Sequence, residues 1–137
     1  MTKIEFNEII SSVSIKSTRV ADRSDGASWG RGASHYKILL KRNGKQWTFP
    51  YSMGSAHKTG PKKKDVLWSL VCDAQCYANA RNESDFIDEF GYERDEYGVS
   101  DAGRKAYRAC KATHARINGD FFTRAEFRIL ENGYQDY

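Results

Sequence analysis

The dipeptide Asn43-Gly44 is the feature of this sequence that most restricts its fold. A two-residue type I′ turn needs positive φ at both central positions, and Asn followed by Gly is a pair that such turns favour. Folding the chain about this turn puts six apolar side chains in register on one face: Leu40 opposite Trp47, Ile38 opposite Phe49, and Tyr36 opposite Tyr51. The sequence therefore predicts a β-hairpin with one apolar face.

Segments on both sides of the hairpin predict the rest of the fold. Residues 13–20 alternate more weakly and predict a third strand. From about Pro61 the apolar period lengthens to about three and a half residues, which indicates helices. The predicted fold is α+β: an N-terminal three-stranded antiparallel sheet packed by three to four C-terminal helices, as a single domain over residues 1–137. The helices are expected from about Pro61 to Ala78, over Glu83–Phe90, from Ser100 to Asn118, and from the capping box Thr123-x-x-Glu126 to Asn132-Gly133.

Apolar stripes on these helices define the expected core. Phe122 and Phe127 are spaced to form a hydrophobic staple around the start of the last helix. Pro50 has no N–H, so we expect the second hairpin strand to lie at the sheet edge or to end there. The inward residues are Val66, Leu67, Leu70, Val71, Ala74, Tyr77 and Ala78, then Phe86, Ile87 and Phe90, then Ala106, Tyr107, Cys110, Thr113, His114 and Ile117.

Charge divides the chain into a basic β lobe, residues 1–64, and an acidic helical lobe, residues 65–137. The first carries 13 Lys and Arg against 4 Asp and Glu, a net charge of +9, and the second carries 9 against 14, a net charge of −5. A field of one sign attracts a partner of the opposite sign. The alternative is that both lobes are solvated surfaces without a partner.

Composition narrows the class of protein. Its 137 residues are enough to bury a core, and no apolar run approaches the ~20 residues needed to cross a bilayer. The N-terminal residues lack the features of a signal peptide, and three cysteines do not suit a secreted disulfide framework. We therefore expect a cytoplasmic protein, without a membrane partner and without a cofactor.

The basic lobe is the predicted surface for nucleic acid or a protein partner. Its candidate contacts lie in a Gly/Ser-rich loop over Arg23–Ser34, on the hairpin, and in a second loop over Ser52–Lys64. Trp29 could add a stacking ring in the first loop, as in proteins that bind single strands. No motif that reads a DNA groove is present. The candidate residues are Arg23, Arg31, Lys37, Lys41, Arg42, Lys45, Lys58, Lys62, Lys63 and Lys64.

The acidic lobe offers a second predicted binding surface. Its carboxylates could imitate phosphates toward a basic channel, or they could form an ordinary solvated surface. The candidate residues are Asp85, Asp88, Glu89, Glu93, Asp95 and Glu96. Trp68 lies on a second, partly apolar helix face with Cys72 and Cys76, which is covered by the fold itself, by a partner, or by a second copy in a homodimer.

Two chemical alternatives remain at the level of sequence. Cys72, Cys76, Cys110 and His114 form a set suited to structural zinc, although buried thiols and a hydrogen-bonded histidine explain the same residues. His57 in the loop after the hairpin could act as an acid or base with neighbouring carboxylates, or simply bond a carbonyl. No local signature of a nucleophile surrounds any cysteine or histidine.

Residues 51–110 carry short motifs that resemble a family of small phage and prophage proteins. The motifs are Tyr51-x-Met53-Gly54-x-Ala56-His57 with Pro61, Asp65-Val66-Leu67 with Leu70, Asp73-Ala74, Phe86, Phe90-Gly91-Tyr92, and Arg104-Lys105-Ala106-Tyr107-x-x-Cys110. The insertion Glu93–Val99 departs from the family pattern. The resemblance implies a phage accessory protein, a class that includes inhibitors of host machinery such as anti-CRISPR proteins, and it implies no catalytic residue.

The leading functional prediction is a phage-type inhibitor that binds a host defence complex stoichiometrically, such as a CRISPR effector or another ribonucleoprotein. A first alternative is a nucleic-acid-binding accessory protein of phage replication or regulation, with RNA or DNA as its ligand. A second alternative is a small nuclease or transferase that uses His57.

Overall fold

The computed structural model describes residues 3–20, 34–53 and 61–135. The α+β class and the three-stranded antiparallel sheet are confirmed. The chain divides into two compact units, Met1–Leu67 and Trp68–Tyr137, and a single domain over residues 1–137 stays a prediction. The elements are α1 Lys3–Ser11, β1 Ser14–Arg19, β2 Ser34–Arg42, β3 Lys45–Met53, α2 Lys63–Asn79, α3 Glu83–Glu89, α4 Asp101–Ala115, a π-helical turn Arg116–Asp120, and α5 Arg124–Gln135.

The hairpin is confirmed in its turn and in its register. Asn43 and Gly44 have φ of 52° and 82°, as a type I′ turn requires, and Leu40 lies opposite Trp47. β1 is antiparallel to β2 on the other side, so β2 is the central strand. Ile38 and Leu40 are fully buried, which identifies the apolar face of the sheet as the side that enters the core of the first unit.

Pro50 lies inside β3, and β3 is an edge strand, as expected. Arg42 and Lys45 close the turn as a hydrogen-bonded pair, and the alternation along the ladder places Pro50 opposite Lys37 in a non-hydrogen-bonded pair. The Pro50 nitrogen therefore points away from β2. The strand continues to Met53 because the proline removes no bond from the β2–β3 ladder.

Helix α1 corrects the expected element order, which began with strands. Phe6, Ile9, Ile10 and Val13 are buried and follow the i, i+3, i+4, i+7 spacing of one helical face. That spacing was present in the sequence. The first residues of the chain therefore carry a helical signal that the predicted order of elements does not include.

Two cations stabilise the C-terminal end of α1. The Lys63 ammonium donates to the Ile10 carbonyl at 3.2 Å, and Arg42 Nε donates to Ser12 Oγ at 2.8 Å. Ser12 Oγ donates in turn to the Ile9 carbonyl at 2.6 Å. The last carbonyls of a helix lack intrahelical partners and carry partial negative charge, so cations and donors are favoured there.

The helices that follow begin where their capping residues predict. The Thr123 N–H donates to Glu126 Oε1 at 2.9 Å and the Glu126 N–H donates to Thr123 Oγ1 at 3.1 Å, which is the predicted capping box. Phe122 and Phe127 are both buried, as the staple requires. The predicted end of α5 at Asn132-Gly133 is wrong: the helix continues to Gln135, because Asn and Gly weaken a helix by only about 1 kcal/mol.

Helix α3 ends in a Schellman motif. Gly91 has φ of 70°, its N–H donates to the Asp88 carbonyl at 3.2 Å, and the Tyr92 N–H donates to the Ile87 carbonyl at 3.1 Å. Phe90, the residue before Gly91, is 45% exposed, so its predicted burial is wrong.

The predicted helical stripes agree with the structure at most positions. In α2 the prediction holds from Val66 to Ala74, but Ala78 is exposed. In α4 and the turn that follows it, Thr113 and Ile117 are buried. The other predicted inward residues of these helices are half-buried: Tyr77, Ala106, Tyr107, Cys110 and His114.

Candidate nucleic-acid interface

The sheet exposes a polar, basic face, which we call the open face. It is formed by the strand residues that alternate with the buried ones. All are exposed except Leu39, which is half-buried, and none is acidic. The residues of the open face are Ser14, Lys16 and Thr18 of β1, His35, Lys37, Leu39 and Lys41 of β2, and Gln46, Thr48, Pro50 and Ser52 of β3.

Three lysines surround the centre of the open face. Lys16 lies directly opposite Leu39, and Lys37 and Lys41 lie two residues to either side of Leu39 on the same strand. Standard strand spacings place the Cα atoms of Lys37 and Lys41 about 13 Å apart, with Lys16 about 8 Å from each. Within the described ranges, none of the three ammonium groups has a hydrogen bond or an ion pair. Three uncompensated positive charges at this spacing attract a polyanion.

The structure brings together only part of the predicted basic set. Lys37 and Lys41 share the open face, and Lys45, Lys62 and Lys64 are exposed at the hairpin turn and around the start of α2. Lys16 was missed, although the strand prediction contained it: Ile15 faces the core side, so its neighbour must face outward. Arg23, Arg31, Lys58 and Trp29 lie outside the described residues.

Arg42 and Lys63 occupy structural positions in the first unit. Arg42 is 8% exposed, because it lies two residues after Leu40 and therefore on the same, apolar face of β2. Its guanidinium and the Lys63 ammonium donate to the end of α1 as described above. We infer that neither side chain is available to a ligand without loosening the first unit.

The acidic candidates in the second unit divide into carboxylates that bond to other described residues and carboxylates that do not. Asp85 accepts from the Arg81 N–H at 3.1 Å, and Asp95 Oδ1 accepts from the N–H groups of Tyr97 and Val99, both at 2.9 Å. These carboxylates hold local turns. Asp88 pairs with Arg94 at 3.0 Å. The remaining acidic candidates, Glu89, Glu93 and Glu96, are exposed and make no ion pair within the described part of the chain.

Arg94 holds the segment 91–99 against α3, and we call this segment the 91–99 loop. Its Nε donates to Asp88 Oδ1 at 3.1 Å and its Nη1 donates to the Gly98 carbonyl at 2.7 Å. Its Nη2 donates to both the carbonyl and the hydroxyl of Ser84, at 3.1 and 3.0 Å. The loop presents Tyr97 with 82% of its surface exposed. Sequence reasoning marked Glu93–Val99 only as an insertion and missed its ordering, because no motif marks an arginine that bonds to a residue ten positions away.

Trp68 lies beside a shallow groove between α2 and α5. The groove has a volume of about 100 Å³ and is lined by Trp68, Val71, Cys72 and Tyr134, among others. Trp68 is 53% exposed, in accord with a second, partly apolar helix face. The Gln75 amide donates to Glu131 Oε2 at 3.2 Å across the same helix pair.

The three cysteines are free thiols with raised pKa values. Burial raises the pKa of Cys110 to about 11, and the nearby Asp73 carboxylate and Cys76 add to the effect. Burial also raises the pKa values of Cys72 and Cys76. Thiols that stay protonated at neutral pH are weak nucleophiles and weak metal ligands.

The predicted zinc set does not form a site in the part of the chain that the structure describes. No three His, Cys, Asp or Glu side chains there are placed to hold a metal ion. The His114 ring lies between the rings of Tyr77 and Phe127, with centroids 5.2 and 6.3 Å away, and His114 Nε2 is 3.3 Å from the Asn118 amide nitrogen. This is the environment of a packed, hydrogen-bonded histidine. His57, the candidate acid or base of the enzyme alternative, lies outside the described residues.

Comparisons with known proteins provide no relative. No protein-family model, curated protein or solved structure matches this chain. Among the described helices, none has both the length and the apolar composition needed to cross a bilayer.

Proposed function

We propose that this chain is a non-catalytic binding protein that holds nucleic acid on the open face of its sheet. The observation that carries the proposal is the set of three lysines, Lys16, Lys37 and Lys41, which have no ion pair with any described residue and lie on a face without an acidic strand residue. This function corresponds to the accessory protein of phage replication or regulation among the three predicted functions.

The physical basis of the binding is neutralisation of phosphates. Each lysine that contacts a phosphate releases condensed counterions, so the logarithm of the affinity falls linearly with the logarithm of the salt concentration. The slope is about −0.9 per phosphate contact on duplex DNA and about −0.7 on a single strand, so three contacts predict a slope between about −2 and −3. Hydroxyl and amide groups around the lysines supply further donors to phosphate and sugar oxygens.

The test is fluorescence anisotropy with labelled 20-nucleotide strands and duplexes over a salt series. We expect the triple variant Lys16→Glu, Lys37→Glu, Lys41→Glu to bind at least tenfold more weakly than the wild type at moderate salt. The salt slope should also become shallower by about two to three. Circular dichroism and thermal melting check that the variant folds.

The matched control reverses three exposed cations of α4: Lys105→Glu, Arg108→Glu and Lys111→Glu. This control changes the net charge by the same amount, so a general charge effect would weaken binding equally in both variants. We expect it to keep the wild-type slope. An equal loss in both triple variants would contradict a site on the open face.

We propose a second candidate function, the phage-type inhibitor of a host defence complex, which the sequence resemblance implies. The observation that favours it is the 91–99 loop, where Arg94 holds the exposed Tyr97 between Glu93 and Glu96, whose carboxylates make no ion pair with any described residue. An aromatic ring beside carboxylates suits the arginine-rich protein surfaces of nucleic-acid enzymes, by ion pairing and cation–π contact.

The inhibitor function is tested in a host lysate and in infected cells. The wild type should capture a discrete complex that survives nuclease treatment, and the variant Glu93→Lys, Glu96→Lys, Tyr97→Ala should lose it. Expression of the wild type should restore infection of a host whose defence is active. Capture that disappears with nuclease, or infection that stays blocked, would contradict the inhibitor function and leave nucleic-acid binding as the remaining proposal.

A further inference from the structure

We infer that the ligand of the open face is the backbone of a double helix, contacted without reading of its bases. The inference rests on the proposed nucleic-acid binding and specifies its ligand. Two observations carry it: the placement of the aromatic rings of the sheet, and the spacing and chemistry of the groups on the open face.

The tyrosine, tryptophan and phenylalanine rings of β2 and β3 all lie on the face opposite the lysines. Tyr36 and Phe49 are buried there, and Trp47 packs on Phe49 with ring centroids 4.5 Å apart. Tyr51 lies opposite Tyr36 on that same face. Proteins that bind single strands stack successive bases on exposed rings, at about 1–3 kcal/mol per base. The strand register turns these rings away from a ligand on the open face. The ring on the open face is the imidazole of His35, whose Nδ1 is 2.9 Å from Ser52 Oγ, so bases of a single strand lack a row of rings to stack on.

The groups on the open face match the contacts that position a protein on a duplex. Phosphate and sugar oxygens accept hydrogen bonds from lysine, from serine and threonine hydroxyls and from glutamine amides, and these contacts carry no sequence information. Ser14, Thr18, Gln46 and Thr48 supply these neutral donors around the lysines.

The lysine spacing also fits a duplex. Lys37 and Lys41 are about 13 Å apart along β2, and the major groove of B-DNA is about 12 Å wide. The distance of about 13 Å separates the Cα atoms, and the flexible four-carbon stems of the two lysines let their ammonium groups reach the phosphate rows on either side of the groove. Lys16, on the neighbouring strand, lies between them and to one side, where it reaches a further phosphate of one row.

The experiment compares four unlabelled competitors of 20 nucleotides against one labelled duplex: duplex DNA, duplex RNA, and a single strand of each. We expect the duplexes to compete at least fivefold better than the single strands. Two duplexes of different sequence should agree within about twofold. The variant Leu39→Trp places a ring at the centre of the open face, so it should strengthen single-strand binding severalfold relative to duplex binding.

The outcomes separate the duplex inference from the proposed nucleic-acid binding. Single strands that compete as well as duplexes would overturn the duplex inference and leave the proposed nucleic-acid binding intact. A preference of tenfold or more for one duplex sequence would overturn backbone-only contact. Failure of every competitor, with no binding of the labelled duplex, would overturn both the inference and the proposed function. A difference between duplex DNA and duplex RNA identifies which double helix the face prefers.

Discussion

Lys41 and Arg42 are adjacent cations with opposite roles. Lys41 faces solvent on the open face, whereas Arg42 points to the other side of β2 and donates to Ser12 beside the end of α1. Strand alternation alone separates the two, because successive side chains point to opposite faces. A count of charges therefore overstates the basic surface of the first unit, and the register identifies which cations a ligand can reach.

Gly103 provides a prediction on packing. A Cβ at this position would lie 2.7 Å from Ile87 Cγ1 and 3.0 Å from Ser100 Oγ, within the α3–α4 contact. Alanine normally favours a helix over glycine by about 1 kcal/mol. We expect Gly103→Ala to destabilise the protein by about 1–3 kcal/mol instead, because overpacking outweighs propensity. Urea unfolding measures the difference.

The control for Gly103→Ala is Ala109→Gly at an exposed position of the same helix. It reports helix propensity without a packing change and should cost about 1 kcal/mol. A stabilised Gly103→Ala variant would show that α3 and α4 approach less closely than described.

The Cys110 thiol provides a prediction on reactivity. Its pKa is raised to about 11 by burial first and by Asp73 and Cys76 next, so the thiolate is scarce at pH 8. We expect iodoacetamide to alkylate Cys110 roughly 100-fold more slowly than an unperturbed thiol, with the rate rising about tenfold per pH unit between pH 7 and 9. Mass spectrometry of timed samples measures the rate, and urea-unfolded protein is the control. A rate that levels off below pH 9 would contradict the raised pKa.

At the scale of elements, the 91–99 loop is held by side chains more than by its own backbone. Arg94 bonds three residues, Ser84 and Asp88 of α3 and Gly98 of the loop, while Asp95 bonds the N–H groups of Tyr97 and Val99. The planar guanidinium offers five donors in fixed directions, which one ammonium does not reproduce. Arg94 is the residue that ties the loop to α3, while Asp95 and the backbone bonds between Asp95, Gly98 and Val99 hold its internal turn.

Arg94→Ala is expected to release the 91–99 loop. Hydrogen exchange of the Tyr97 and Val99 amides should accelerate at least tenfold, and unfolding should become easier by about 1–2 kcal/mol, because several charge-assisted bonds are lost at once. For Arg94→Lys, the exchange rates and the free energy of unfolding should lie between those of the wild type and those of Arg94→Ala. Exchange rates that stay at the wild-type value would show that the loop is ordered without Arg94.

The matched control is Arg81→Ala, which removes another α3 ion pair. Arg81 lies 3.6 Å from Asp85 and is 84% exposed, so its removal should cost less than about 0.5 kcal/mol. The comparison separates loss of a bonded network from loss of one surface charge.

At the scale of the whole molecule, the sequence predicted those parts of the fold that local signals specify. The Asn43-Gly44 turn determined the hairpin register, and Thr123 with Glu126 located the start of α5. Features that depend on contacts between distant residues escaped prediction, such as the loop held by Arg94. The open face was predicted in part: Lys37 and Lys41 follow from the hairpin, whereas Lys16 requires the β1 register.

The half-buried carboxyl of Asp73 makes the stability of the protein depend on pH. Burial raises the pKa of the Asp73 carboxyl above its ordinary value of 3.8. Below pH 3.8 both states are protonated and the group has no effect. As the pH rises, the unfolded chain releases its proton first, so the folded state loses stability up to the folded pKa and keeps that penalty at neutral pH. We therefore expect Asp73→Asn to be more stable relative to the wild type at pH 7 than at pH 4.

The pH dependence of Asp73→Asn is measured by chemical unfolding from pH 4 to pH 7. Glu96→Gln, which removes a carboxylate from the exposed loop, serves as the control and should show no comparable trend. A stability difference between Asp73→Asn and the wild type that does not change with pH would contradict the raised pKa.

The orientation of Pro50 affects whether copies of this protein pair through their β3 edges at high concentration. The free edge of β3 lacks one donor in the middle of its row, so an incoming strand from another copy would leave a carbonyl without a partner. The proline costs nothing within the sheet because the missing N–H faces away from β2. The proline thus disfavours fibre growth along this edge, so copies of the hairpin can be present at high concentration without pairing strand to strand.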